Sequence, residues 1–140
     1  MKKLLYILTA LTLIATGCNK EENKIDYKTA ILGEWLYAAD DMGVSIYVEF
    51  EADDNFSLYQ QLGEGRYRKY TGSWSCEGNI LSGTYTDGSP WGSSYMMEFN
   101  ADTMTLTAQN GSNEVMKYVK QSIPDEVLEE CIEVKSGGSL

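Results

Sequence analysis

The sequence predicts an all-β domain: an eight-stranded antiparallel up-and-down meander, closed as a barrel or a sandwich, with a short helix after the last strand. Three observations carry this. From Glu34 to Gln121, short stretches rich in Tyr, Val, Ile, Thr, Phe and Trp alternate with turn residues about every eight to twelve positions. Several stretches show period-two alternation, which puts one face inward and the other in water. The links between them are short, so strands adjacent in sequence are expected to be adjacent in the sheet.

The elements follow in order. Ile25 to Leu32 suits one short helical turn, and Trp35 opens the first strand. Val44, Ile46, Val48 and Phe50 alternate with Ser45, Tyr47 and Glu49, the mark of a half-buried strand. Asp53-Asp54-Asn55 turns the chain into Phe56–Tyr59, and Gly63 with Gly65 marks the next turn. Tyr70, Gly72, Trp74 and Cys76 share one face of the following strand. Gly78-Asn79 is read as a two-residue hairpin loop, which sets Trp74 opposite Gly83 and Tyr85 opposite Gly72, each ring covering a glycine. Asp87-Gly88-Ser89-Pro90 turns into a strand from Trp91 to Asn100; Trp91, next to the turn, is also a candidate exposed contact. Met104–Thr107 and Glu114–Gln121 are the last two strands, joined through the tight-turn pair Asn110-Gly111. After Pro124, with Ser122 as the capping residue, Val127, Leu128, Cys131 and Ile132 fall at helical spacing and predict an amphipathic helix on the barrel's outside or end.

The N-terminus reads as an address. Lys2 and Lys3 precede an apolar run from Leu4 to Ala15, too short to span a hydrocarbon core about 30 Å thick. The run ends in Ala15-Thr16-Gly17-Cys18, which resembles a lipobox, with Ala15 where Leu is usual. The expectation is cleavage before Cys18, acylation of its thiol, and contact with the membrane through that lipid alone. Lys20-Glu21-Glu22 resembles the signal that some Gram-negative groups place after the lipidated cysteine for surface export. The expected location is therefore the outer membrane, with the cell surface favoured over the periplasmic face.

Charge and chemistry exclude several functions. Removing residues 1–17 takes Lys2 and Lys3 and leaves nine basic against 21 acidic residues, a net charge of −12. Such a chain repels nucleic acid and anionic head groups. Arg66, Arg68 and Lys69 form the one basic cluster and read as a solvated hairpin face. The chain contains no histidine, so the commonest general base and metal ligand are missing. No acidic pair, Asp40-Asp41, Asp53-Asp54 or Glu129-Glu130, has the spacing of a calcium loop. No enzyme activity, metal or cofactor is expected. Two cysteines remain beyond Cys18: Cys76 and Cys131 form a disulfide, worth roughly 4 kcal/mol in the chain-entropy model, or stay apart as thiols.

Gly33-Glu34-Trp35 matches the Gly-x-Trp signature of lipocalins. Residues 28–128 resemble the lipocalin-like lipoprotein domains of some gut anaerobes, through Leu32-Gly33-x-Trp35, a turn followed by Phe56, Tyr70-x-Gly72-x-Trp74, Leu81-x-Gly83-x-Tyr85, Met104-x-Leu106 and Tyr118-x-Lys120. The Thr-Asp-Tyr motif and the last-strand Arg of typical lipocalins are absent; Lys117 or Lys120 is placed to replace the Arg by cation–π contact with Trp35. The resemblance implies an eight-stranded barrel with a calyx for a small apolar molecule. With the address segment and the tail, the chain divides into signal peptide (1–17), tether (18–27), barrel with helix (28–134) and disordered tail (135–140). Tyr70, Trp74, Tyr85 and Tyr95 are the expected ligand-lining residues. The alternative is a filled barrel that binds a protein or glycan at the cell surface through exposed aromatics. If Cys18 is the anchor, Cys18→Ala releases folded, soluble protein on fractionation; an unfolded or membrane-retained variant contradicts the tether.

Overall fold

The computed structural model describes residues 25–39 and 41–135. The expected signal peptide, Cys18, the Lys20-Glu21-Glu22 motif, Asp40 and tail residues 136–140 lie outside the described residues. A single helical turn, α1 (Tyr27–Ala30), is capped by Asp26, whose carboxylate accepts from Thr29 Oγ1 at 2.8 Å. Eight strands follow: β1 (Gly33–Ala39), β2 (Val44–Phe50), β3 (Asn55–Leu62), β4 (Arg68–Glu77), β5 (Ile80–Tyr85), β6 (Tyr95–Asn100), β7 (Thr103–Ala108) and β8 (Val115–Lys120). Each pairs antiparallel with the next, and β8 returns to β1. The meander therefore closes as a barrel rather than a sandwich.

Closure rests on few residues. Only Trp35↔Lys120 and Leu36↔Val119 pair across the β1–β8 seam. Trp35 is 2% exposed, and its indole Nε1 donates to the carbonyl of Ile31 at 2.8 Å. Lys120 Nζ lies 4.4 Å from the centre of the Trp35 ring and donates to the carbonyl of Leu32 at 2.6 Å. Lys120 thus fills the role expected of a last-strand cation. Gly33 has φ of +114°, and a Cβ there would sit 2.9 Å from Lys120 Nζ. A side chain would be strained by the backbone and would displace the cation.

The β4–β5 hairpin has the expected register: Glu77 faces Ile80, Trp74 faces Gly83 and Gly72 faces Tyr85. The rings that cover the glycines differ from expectation. The missing Cβ of Gly83 faces the Trp91 ring, and that of Gly72 faces the Thr84 carbonyl and the Phe56 ring. Two strand boundaries also move. β6 begins at Tyr95, because residues 86–94 fold back on β5. Asn110-Gly111 sits in a longer loop, since Thr107↔Val115 is the last β7–β8 pair. Asn110 Oδ1 accepts from Ser112 N and Ser112 Oγ from Glu114 N, so side chains extend the turn.

After β8 the chain crosses the outer face of the barrel. Ile123 N donates to Glu34 Oε1, and Pro124, not Ser122, occupies the N-cap position of α2 (Asp125–Glu130). Ile123 and Val127 pack with Tyr47 and Tyr59, the outward residues of β2 and β3. A short β9 (Ile132–Glu133), not foreseen, then pairs parallel with β4 at Arg68 and Lys69. Cys76 and Cys131 are free thiols, the second of the two alternatives the sequence left open. Cys76 pairs across from Leu81, an inward residue, whereas Cys131 packs with the outer Tyr47–Ile123 cluster. The barrel wall lies between them.

Lys120→Met keeps the aliphatic stem and removes the charge and the donor. It is expected to lower stability by about 1–2 kcal/mol, read as a lower urea midpoint at unchanged slope. Lys117→Met, on the exposed outward position of β8, is expected to be near neutral. Equal effects of the two contradict the seam contact.

Candidate functional site

The pleat of β2 sends Val44, Ile46, Val48 and Phe50 inward, and Tyr47 and Glu49 outward. With Leu58, Leu81, Leu106 and Met116 these inward residues wall a cavity of about 390 Å³. Its mouth carries Met42, Gly92, Asn110, Ser112 and Glu114, from the β1–β2, β5–β6 and β7–β8 links. At the other end Trp35, Phe56, Trp74, Met97 and Met104 are packed solid. Trp74 contributes to this closed end by donating to the carbonyl of Asn55 at 3.0 Å and packing edge-on against Phe50.

Four tyrosines stand on the wall: Tyr37, Tyr85, Tyr95 and Tyr118. Among the described residues none of their hydroxyls is hydrogen-bonded to the protein. Burial raises the phenol pKa of Tyr85, Tyr95 and Tyr118; the charge of Glu114 adds to the rise at Tyr95. The phenols therefore stay neutral and able to donate at ordinary pH. Among the described residues no Lys or Arg lines the cavity, and Glu114 at the mouth is its one carboxylate.

The β5–β6 link also contributes to the wall. Ser89 O accepts from Tyr85 N at 2.8 Å and Gly83 O from Trp91 N at 3.0 Å, so the link runs back along β5. Asp87 Oδ1 holds the bend by accepting from Ser89 N. Trp91 is thereby turned inward onto Gly83, with Phe56 edge-on at 5.2 Å. Its indole Nε1 is buried with no partner among the described residues. An unmet donor of this kind costs about 1–3 kcal/mol.

The structure brings two of the four expected lining residues, Tyr85 and Tyr95, to the cavity wall. Tyr70 is buried against Tyr85, with ring centres 6.1 Å apart, and does not reach the wall; Trp74 belongs to the closed end. Sequence reasoning missed Tyr37, Tyr118, Trp91 and Glu114. A signal existed for Trp91: a glycine at an inward strand position leaves room for a ring, although the ring came from the link and not from β4.

A family model described as a lipocalin-like domain matches residues 16–106. The chain belongs to that family. A search of curated proteins finds no match. In this lipocalin-like domain the Gly33–Trp35 signature and Lys120 secure the closed end, and the cavity opens at the other. Among the described residues no group of three or more Cys, Asp or Glu side chains converges where a metal ion could sit. The arrangement is suited to holding an apolar molecule and offers it hydrogen bonds from phenols.

Proposed function

We propose that this protein is a lipid-anchored carrier or receptor that holds a small apolar molecule in the barrel. The observation that carries this is the cavity of about 390 Å³, walled by aliphatic and aromatic side chains and open at one end. That size and lining suit a small-molecule site. Binding without a reaction fits the side chains on the wall, which include no nucleophile paired with a base.

The anchoring part of the proposal rests on the lipobox-like Ala15-Thr16-Gly17-Cys18 and on the barrel's outer surface. Outward positions carry Glu49 and Lys69, and at mid-strand Glu98 and Lys117. A barrel that crosses a bilayer would need an apolar band there. The barrel then works in water, tethered by the chain that follows Cys18, and Lys20-Glu21-Glu22 supports display on the cell surface.

The alternative, a surface module binding protein or glycan through exposed aromatics, has less support. All described tyrosines and tryptophans are buried or half-buried; the exposed large apolar residues are Ile25, Met42, Leu62, Val115, Val119, Leu128 and Ile132. Native mass spectrometry of the purified protein, followed by solvent extraction, tests the carrier reading. A reproducible copurifying small molecule is expected. None across several hosts and growth conditions counts against it.

A further inference from the structure

We propose that the cavity selects an uncharged amphiphile whose polar end is a hydrogen-bond acceptor, such as an ester, ketone or lactone, and discriminates against carboxylates. This rests on the carrier reading above and narrows it to a ligand class.

Two independent observations point the same way. The first is charge. Among the described residues, a carboxylate entering the barrel meets no lysine or arginine on the wall, and meets Glu114 at the mouth. The whole chain carries a net charge of −10. An anion would lose its hydration in the barrel without gaining a counter-charge, and Glu114, exposed at the mouth, adds a screened repulsion on the way in.

The second is the hydrogen-bonding capacity that the fold leaves unused. Two buried side-chain atoms lack a partner among the described residues: Trp91 Nε1 and Gln60 Nε2. Both are N–H donors. Trp91 is on the cavity wall. Gln60 is 3% exposed and sits directly across from Ile46, a wall residue, so it lies on the interior face of β3. A buried amide on the inside of an apolar barrel is expensive unless something accepts from it. The free phenols of Tyr95 and Tyr118 add donors on the same wall. A ligand with an apolar body and a neutral acceptor meets the donors on the wall, Trp91 Nε1 and the phenols, without bringing a charge.

The matched pair methyl decanoate and decanoate, with decane as the purely apolar control, tests this by displacement of an apolar fluorescent dye at neutral pH. Methyl decanoate is expected to bind at least about tenfold more tightly than decanoate. Glu114→Gln is expected to narrow that gap by strengthening decanoate. Trp91→Phe keeps a ring over Gly83 and removes the donor; it is expected to weaken methyl decanoate roughly fivefold more than it weakens decane. Decanoate binding as tightly as its ester overturns the selectivity while leaving the carrier reading intact. So does a Trp91→Phe variant that weakens ester and decane alike. Failure of all three probes to displace the dye overturns the carrier reading and the selectivity together.

Discussion

The contact between Lys120, the Trp35 ring and the Leu32 carbonyl is the constraint on which the rest of the barrel depends. The β1–β8 seam has only two paired positions, so backbone hydrogen bonds alone close it weakly. One lysine adds a cation–π contact and a charge-assisted hydrogen bond at that point. It also explains Gly33, whose backbone conformation and lack of a Cβ leave the ammonium its place. Trp35 in turn holds α1 through the Ile31 carbonyl, and α1 covers the closed end. The strand that supplies Lys120 then runs straight into Ile123, where Glu34 directs the chain over the outer face. One end of the barrel is sealed by these contacts, and the opening is left to the other.

The two faces of the sheet carry different kinds of packing. Inward residues of the lower barrel are large and interlocked, with Phe56, Met97 and Met104 fully buried. Toward the mouth the inward residues of β2 are smaller, Val44, Ile46 and Val48, and they do not meet across the barrel. The space between them is the cavity. Outside, Tyr47 and Tyr59 would expose broad apolar surface, and the C-terminal segment covers them with Ile123 and Val127. Each such side chain contributes about 1.5–3 kcal/mol when fully buried, which gives the segment a structural role separate from the cavity.

Much of this was legible in the sequence because strand faces and turns are local. Val44 to Phe50 alternates strictly, and the Gly72–Tyr85 and Trp74–Gly83 pairs followed from one assumed turn. The Gly33–Trp35 signature and its lysine partner were legible through resemblance to a family. Features that depend on chain return were not. Trp91 reads as part of a strand or an exposed residue until the β5–β6 link is known to double back. The relation of Cys76 to Cys131 depends on which side of the wall each faces, and a helix crossing the outer surface does not announce its lining. Asn110-Gly111 looks like a tight turn, but Ser112 offers a competing side-chain hydrogen bond that lengthens it. Of the aromatic residues expected at the site, Trp74 had the right face and the wrong depth, and Tyr70, level with the wall residue Leu58, packs behind Tyr85.

The central claim is that a ligand enters this barrel rather than settling on its outside. Methyl NMR of the protein titrated with decane tests that most directly. The account predicts shifts at Val44, Ile46, Val48 and Leu106, with Ile123 and Val127 unmoved. Shifts confined to Ile123, Val127 and the exposed Val115 and Val119, with the inward methyls unchanged, would contradict it.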